Sequence, residues 1–386
     1  EWDLPIIIGR RAGIEGHIYA YLSRSLAQLE LYRLRPEPRL LATADRAIDF
    51  LTRKDGMAIT GGAGEFEIWT GDQDGRGELA ESCATAYQLR VYDSLLRLRG
   101  EARYGDLIER TVYNTLFAAQ SPEGRSIRYY TPTEGPRVYH PGDTYCCPGN
   151  YRRIISELPE MIYYSWGGGV AVNLYTASEA TLRAGGAELR VRQATDYPSS
   201  GDVLVHLDPV RPATFPVRLR IPAWSRGVSV QVNGQDAGAP AAPGAFLVLD
   251  RAWKAGDIIR IAMPMSFRLV RGRQRQAGRV ALMRGPQIFC LNPSQQKLFE
   301  SQDGADLGRI TLDPKSLELV EDASVRPGGR ACRAGVWKAT HDIWPRTDLQ
   351  VVLTEFADPG GRATYFRLRD LSAAVDDELA APPQGH

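Results

Sequence analysis

The sequence predicts a multidomain α + β protein in which a helical region is followed by β-sandwich domains. With 386 residues, the chain exceeds the size of an ordinary single domain. Apolar residues recur every three or four positions in its first part and every two positions after Gly167. We therefore expect a helical region over residues 1–166, a β-sandwich over 167–291, and an accessory β-rich region with a disordered tail over 292–386.

The helical region is predicted from five segments whose apolar residues fall on one helix face. Pro36 and Pro38 end the first segment, Asp55-Gly56 ends the second and Gly100 ends the third. Antiparallel helix pairs joined by short turns are typical of a bundle, a solenoid or an (α/α) barrel, and the lack of a fixed-period repeat disfavours the solenoid. The predicted helices are residues 17–34, 39–51, 84–98, 104–119 and 152–164.

The β region is predicted from short segments in which apolar and polar residues alternate. Asn233-Gly234 is a strong signal for a tight hairpin turn. The tail over residues 380–386 is predicted to be disordered. The predicted strands are residues 170–175, 189–193, 203–207, 217–221, 228–232, 258–263, 280–282, 351–353 and 365–368.

Composition and charge exclude several classes of partner. A formal charge of +1 provides no field for nucleic acid or an anionic membrane surface. No apolar run approaches the ~20 residues that span a bilayer. The chain starts at Glu1 with neither a methionine nor a charged and apolar leader, so we expect upstream sequence to be missing. The sequence leaves open whether the protein forms a homodimer.

Three of the five cysteines lie in two short polar motifs. Cys83 follows Glu81, and Cys146 and Cys147 stand side by side before Pro148. Three thiols and one carboxylate suit a tetrahedral Zn²⁺ site. Each motif comes just before a predicted helix, where the helix dipole lowers a thiol pKa, as a bound metal also would.

The remaining cysteines indicate the compartment. Cys290 and Cys332 stand alone, and the total is odd, unlike a secreted disulfide framework. We expect a reducing environment and therefore a cytoplasmic location. The alternative for the adjacent pair is a vicinal disulfide or simply buried thiols.

These residues resemble glycoside hydrolase family 127, the β-L-arabinofuranosidases and their relatives. The similarity covers most of residues 9–290. In the β region it rests on Arg220-Ile-Pro-Ala-Trp224, Val232-Asn-Gly234, Trp253 with Gly256-Asp257, and Arg284-Gly-Pro286. In the helical region the matching motifs, in order, are Thr60-Gly-Gly62, Glu67-Ile-Trp69, Glu81-Ser-Cys83, Glu109-Arg110 with Tyr113-Asn114, and Cys146-Cys147-Pro148.

The resemblance implies an (α/α)6 barrel of which this chain holds the second half, a bound zinc ion and a sugar-cleaving cysteine. The ligands carried over by position are Glu81, Cys83, Cys146 and Cys147. Cys146 is the implied nucleophile, attacking the anomeric carbon with retention of configuration. A thiolate would thus replace the carboxylate that most retaining glycosidases use.

A glutamate is implied as the general acid/base. Glu67 fits the Glu-x-aromatic motif best and Glu65 is the runner-up. To donate a proton at neutral pH, this carboxyl needs a raised pKa, which we expect from burial near Trp69. The alternative is that Glu65 and Glu67 are solvated charges in a loop and have no catalytic role.

Further residues are implied to contact the sugar: His17, Glu109 and Tyr129. Without the resemblance, a single histidine such as His17 is more often a core or surface residue of a helix than a ligand. Glu109 could likewise form an ordinary ion pair with Arg110 within a helix. We expect His140 to be a loop residue. Trp69, Trp166 and Trp224 are expected to serve packing.

The function predicted from these observations is that of a retaining, β-L-arabinofuranosidase-like glycosidase acting on a glycoside or oligosaccharide. The alternative is a non-catalytic carbohydrate-binding or assembly protein in which zinc joins the helices, since closed cysteine-rich zinc sites are usually structural. An isomerase or epimerase would need a histidine-rich pocket, and the chain has five histidines in total.

Overall fold

The structure is a computed structural model that describes residues 14–142, 145–296, 307–337 and 349–380. Within these residues, the helical part of the protein contains five helices of ten residues or more. After α4, the chain continues through a wider π-helical turn, Val112–Leu116, and one further turn, Phe117–Ala119. The helices are α1 (Ile18–Leu34), α2 (Ala42–Arg53), α3 (Ser82–Arg99), α4 (Ala102–Thr111) and α5 (Cys146–Glu157).

Periodicity located the first four helices to within three residues at their starts, but the fifth was wrong. The expected helix over 152–164 instead begins at Cys146 and ends at Glu157, where Leu158–Met161 forms a 3₁₀ turn containing Pro159. A complete barrel of six helix pairs is not contained in the described residues. No helix in those ranges is both long and apolar enough to cross a membrane.

Twenty strands form four sheets within the described residues. They are β1 (Ile127–Arg128), β2 (Tyr139–His140), β3 (Tyr163–Trp166), β4 (Gly169–Val172), β5 (Ser178–Ala184), β6 (Ala187–Thr195), β7 (Asp202–Pro209), β8 (Ala213–Ile221), β9 (Ser229–Val232), β10 (Gln235–Asp236), β11 (Ala245–Trp253), β12 (Asp257–Ala262), β13 (Phe267–Arg271), β14 (Arg279–Arg284), β15 (Gln287–Leu291), β16 (Thr311–Leu312), β17 (Glu318–Glu321), β18 (Arg330–Trp337), β19 (Leu349–Glu355) and β20 (Tyr365–Arg367).

The chain divides into two compact units, and the first is discontinuous. Unit 1 draws on the described parts of Glu1–Ser94, Arg110–Arg152 and Phe267–His386. Its large sheet has the order β13-β14-β15-β19-β18-β16-β20, with β17 on β18. Because β20 also pairs with β14, six of these strands close into a ring whose interior is apolar.

The predicted boundary between residues 291 and 292 is therefore wrong. Strand β15, which ends at Leu291, pairs with β19, so segments on both sides of that boundary share one sheet. The predicted disordered tail lies, after Ala380, outside the described residues.

Unit 2 comprises Leu95–Glu109 and Arg153–Ser266. It contains a six-stranded sheet, β10-β9-β12-β7-β6-β5, and a four-stranded sheet, β11-β8-β4-β3. Alternation predicted these strands well, since inward residues of β6 are buried and outward ones exposed. The Asn233-Gly234 turn joins β9 to β10 with both residues at positive φ, as predicted.

Two contacts within unit 1 hold the C-terminal end of α4 in place. Gly61 has φ +89, and a Cβ there would lie 2.8 Å from the Thr111 Cα, so the backbones approach closely. Arg110 is buried and pairs with Asp377 at 3.3 Å and with Glu378 at 2.6 Å. The segment that contains Asp377 and Glu378 is thus bound to the end of α4.

Candidate metal centre and active site

Four predicted ligands come together in unit 1. Cys83 lies in the first turn of α3 and Cys146 begins α5, so both thiols sit at helix N-termini. The potential ligand atoms of Glu81, Cys83, Cys146 and Cys147 all lie within 4.8 Å of one another. The structure thus brings together side chains from two motifs whose first cysteines, Cys83 and Cys146, lie 63 positions apart.

The cluster fits a tetrahedral zinc ion. Sulfurs bound at ~2.3 Å in a tetrahedron stand about 3.8 Å apart. The Cys83 and Cys147 sulfurs are 3.4 Å apart, those of Cys146 and Cys147 are 4.0 Å apart, and Cys147 Sγ is 3.8 Å from Glu81 Oε1. Glu81 Oε2 is buried and has no hydrogen-bond partner within the described residues, as expected of a ligand atom.

Electrostatics also call for a cation. The contact with Cys147, burial and the Glu81 carboxylate raise the pKa of Cys83, and burial raises the pKa of Cys146. Burial and the charge of Glu67 raise the pKa of Glu81. One positive ion would stabilise the ionised forms of these three groups together.

One sulfur of the cluster faces solvent. Cys83 and Cys147 are fully buried, whereas Cys146 is exposed. A disulfide needs sulfurs ~2.05 Å apart, so all five cysteines are free and the vicinal disulfide is not formed. Cys146 is consequently the thiol of this cluster that a substrate can reach.

Beside the cluster, Glu67 accepts three hydrogen bonds. Tyr129 donates at 2.6 Å and Tyr130 at 3.0 Å, both to Oε1, while His17 Nε2 lies 2.9 Å from Oε2. Ligand-type atoms of His17, Glu67 and Glu81 lie within 4.8 Å of one another. Glu81 therefore adjoins both groups of side chains.

The tautomer of His17 follows from its position as the N-cap of α1. Its Nδ1 accepts a hydrogen bond from the Tyr19 backbone N–H at 3.2 Å. The neutral ring then carries its proton on Nε2, which donates to Glu67. A metal at Nε2 would require the opposite tautomer, so the thiol cluster is better suited than His17 to hold a metal ion.

The pKa of Glu67 corrects a sequence expectation. Burial alone would raise it, but the hydrogen bonds from Tyr129, Tyr130 and His17 outweigh burial and hold the pKa below its usual value. The ring of Trp69 is itself buried and packs edge-on against Tyr21 and Phe50.

Glu67 sits in a strained turn. Glu65 and Ile68 exchange backbone hydrogen bonds across two central residues, Phe66 (φ 50) and Glu67 (φ 62). This pattern with positive φ at both positions normally takes asparagine and glycine. Its use of a glutamate costs roughly 1 kcal/mol or more, which is typical of functional positions.

Glu65, the runner-up acid/base, faces different surroundings. Its Oε1 accepts from the Gly75 N–H at 3.2 Å, and it lines a cavity of about 10 Å³ with Thr133 and Tyr365. Burial, with the charge of Asp72, raises its pKa to about 7. It is not part of either ligand group, so geometry favours Glu67.

Glu109, expected to contact sugar, is instead a buried structural carboxylate of unit 2. Arg220 donates to its Oε1 at 2.6 Å, as does Tyr197 at 2.7 Å, and Trp224 donates to Oε2 at 3.1 Å. Only 1% of Glu109 is exposed. Nor does it pair with Arg110, whose partners are carboxylates of the C-terminal segment.

Sequence reasoning missed several neighbours of the site. Tyr130 was missed although it follows Tyr129 directly, and Asn150 donates to Cys83 Sγ at 3.1 Å. Tyr145 stacks on Tyr129 with ring centroids 5.7 Å apart. His140, expected in a loop, lies in β2 with its ring 5.6 Å from that of Tyr129.

Comparison with known folds places the chain among glycoside hydrolases that combine a helical region with several β domains. Sequence profiles match at residues 17–160, for "Beta-L-arabinofuranosidase, GH127 catalytic domain", and at residues 169–265, for the "GH127 middle domain". The chain belongs to glycoside hydrolase family 127.

Individual relatives agree with this assignment. A non-reducing end beta-L-arabinofuranosidase of Bifidobacterium longum subsp. longum is 30% identical over 328 residues, covering 75% of this chain and 48% of the relative. A GH127 beta-L-arabinofuranosidase from Geobacillus stearothermophilus T6 superposes with a TM-score of 0.82 at 25% identity, over 92% of this chain and 61% of that one. Another GH127 beta-arabinofuranosidase shares the fold, with a TM-score of 0.81 at 24% identity over 94% and 61%. The chain thus spans about half of the curated relative.

Proposed function

We propose that the protein is a retaining glycoside hydrolase that removes a terminal β-L-arabinofuranoside, with Cys146 as nucleophile and Glu67 as general acid/base. One observation carries the proposal: the exposed sulfur of a four-ligand cluster and a hydrogen-bonded carboxylate both lie within 4.8 Å of Glu81. The sugar is inferred from the names of the relatives. We also propose that the helical region is part of an (α/α)6 barrel and that the β region contains a β-sandwich.

In the first step, the Cys146 sulfur would attack C1 of the sugar while the bond from C1 to the leaving oxygen breaks. Glu67 would give its proton to that oxygen, leaving a thioglycosyl group on Cys146. A zinc ion held by Glu81, Cys83, Cys146 and Cys147 would supply the positive charge that keeps the sulfurs ionised. Two displacements at C1 retain its configuration.

In the second step, Glu67 would take a proton from water as the water oxygen attacks C1 and the carbon–sulfur bond breaks. The hydrogen bonds to Glu67 suit this step, because they hold the carboxylate ionised. The first step needs the protonated form. A sugar ring that displaces water from this half-buried carboxyl would raise its pKa on binding.

The test is hydrolysis of a panel of 4-nitrophenyl glycosides, with zinc measured in protein purified without chelators. Cys146→Ser should abolish hydrolysis while leaving the melting temperature within a few degrees. Cys332→Ala is the matched control, since that buried cysteine lies in the large sheet, and it should retain activity. Undiminished hydrolysis by Cys146→Ser would overturn the assignment.

A second variant tests the glutamate. Glu67→Gln should slow the second step more than the first for a good leaving group such as nitrophenolate, which needs no proton. Mass spectrometry should then detect a pentosyl adduct on the peptide that contains Cys146. An adduct elsewhere, or none during a burst of nitrophenolate, would contradict the mechanism.

The second candidate is a non-catalytic carbohydrate-binding or assembly protein with a structural metal. Two of the three sulfurs are fully buried, and the cluster joins α3 to α5, as a structural site would. Metal removal that unfolds the protein, combined with no hydrolysis of any glycoside by the parent, would favour this candidate.

The free state of all five cysteines supports a further proposal, that the protein works in the cytoplasm.

A further inference from the structure

A buried amide touches one sulfur of the thiol cluster. Asn150 lies one helical turn after Cys146 in α5, and its Nδ2 donates to Cys83 Sγ over 3.1 Å. Asn150 is 3% exposed and Cys83 is fully buried. The hydrogen bond therefore forms out of contact with water, where an unmade bond costs more than it would at the surface.

Direction matters in this contact. A cysteine that ligates a metal has lost its S–H proton and can only accept hydrogen bonds. An amide N–H2 group is the donor that such a sulfur needs, whereas a carboxylate of the same size would present only acceptors. The sulfur of Cys147 lies 3.4 Å from that of Cys83 and, as a second metal ligand, would also need hydrogen-bond donors.

The orientation of the amide is fixed by a second contact. Asn150 is also hydrogen-bonded to Tyr19, in the first turn of α1, whose own backbone N–H donates to His17 Nδ1. The side chain is therefore held between two helices, and its N–H2 group is aimed at Cys83. Outer partners of this kind set the position and the basicity of metal ligands.

We propose that Asn150 is a positioning residue that fixes the Cys83 sulfur and thereby sets how tightly the cluster retains a metal ion. This inference rests on the proposed zinc site but is independent of the reaction. It assigns Asn150 no contact with substrate.

The contrast with Asn114 makes the inference testable. Asn114 is equally buried, but its Nδ2 donates to the Arg110 and Pro286 carbonyls and its Oδ1 accepts from the Ile288 N–H. It satisfies only backbone groups. Asn114→Asp and Asn150→Asp are thus matched, isosteric replacements of a buried amide, of which one touches a cysteine.

The experiment measures zinc affinity and zinc release in the full chain, using a chromogenic chelator as competitor. Asn150→Asp should weaken zinc binding on the order of 10- to 100-fold. Asn150→Leu removes the donor without adding charge and should also weaken binding, so charge alone cannot account for the loss. Asn114→Asp should lower the melting temperature and leave zinc affinity unchanged.

A spectroscopic readout separates positioning from general destabilisation. The cobalt-substituted protein absorbs through its sulfur–metal bonds, and that absorption should change in both Asn150 variants but not in Asn114→Asp. Wild-type zinc affinity and an unchanged cobalt spectrum in both Asn150 variants would overturn the inference. A parent protein that binds no metal would overturn the zinc site as well, whereas metal binding without hydrolysis would defeat only the proposed reaction.

Discussion

Replacing Tyr129 by phenylalanine tests how the site controls the proton on Glu67. The change removes the hydroxyl that donates to Glu67 Oε1 at 2.6 Å and keeps the ring that stacks on Tyr145. A hydrogen bond to a charged group contributes about 1.5–3 kcal/mol. Because 26% of the Glu67 side chain is exposed, we take the lower end.

That free energy converts directly into a pKa change. At about 1.4 kcal/mol per pH unit, loss of the bond should raise the pKa of Glu67 by roughly one unit, since the bond favours the ionised form. In the proposed first step Glu67 must be protonated, so kcat/KM falls as pH rises through this pKa. The alkaline limb of the profile should therefore move about one unit upward in Tyr129→Phe.

The assay is the pH dependence of kcat/KM for a substrate whose leaving group needs protonation. Tyr139→Phe is the control, because the Tyr139 hydroxyl bonds to the Gln120 carbonyl rather than to Glu67. An alkaline limb that stays in place, or that moves equally in the control, would refute the reasoning.

Stability provides a readout that needs no substrate. The folded-state pKa of Glu67 lies below the ordinary value of 4.5, so its hydrogen bonds stabilise the fold fully above that pH and cease to do so as pH falls through the folded pKa. Tyr129→Phe should thus cost about 1.5 kcal/mol at pH 7 and less in acid. A destabilisation independent of pH would contradict this account.

Two further predictions concern the frame of the protein. Glu109→Ala leaves the Arg220 guanidinium buried without one of its carboxylates and should lower the free energy of unfolding in urea by about 3 kcal/mol or more, whereas a loss below ~1 kcal/mol would show that the pair is dispensable. Gly61→Ala places a Cβ 2.8 Å from the Thr111 Cα at φ +89 and should lower the free energy of unfolding by at least a few kcal/mol. The control Gly77→Ala, at φ +65 with open space around it, should lower it by only about 1 kcal/mol. Equal melting temperatures of the two variants would argue against the close backbone approach.

Periodicity predicted the elements that follow simple patterns. Helix α1 begins one residue after its predicted start because its apolar residues recur at helical spacing, and the β6 alternation matches a strand with one buried face. Helix α5 was misplaced because its first turn is Cys-Cys-Pro-Gly, a polar segment without periodicity. The sheet that joins β15 to β19 could not be predicted either, because strand pairing over such separations leaves no local signal.

The cluster of Glu81 with three cysteines was predictable from chemistry, since three of the five cysteines stand in two motifs beside a carboxylate. The neighbours that tune the site were not. Tyr130 reaches Glu67 across 63 positions and Asn150 reaches Cys83 across 67, and an isolated tyrosine or asparagine indicates nothing by itself. For Glu109 the error was the opposite, because a residue predicted to contact sugar is buried instead. Its partner Arg220 lies 111 positions away in the sequence and donates a hydrogen bond to the carboxylate.

The pairing of Arg110 with Asp377 and Glu378 has a consequence for biosynthesis. The two carboxylates are made 267 and 268 residues after the arginine, so they cannot neutralise its buried charge until residues 377 and 378 have left the ribosome. The strands of residues 153–266, by contrast, are complete well before then. Arg110 must therefore keep its charge in contact with water, or with other partners, throughout the synthesis of residues 153–266.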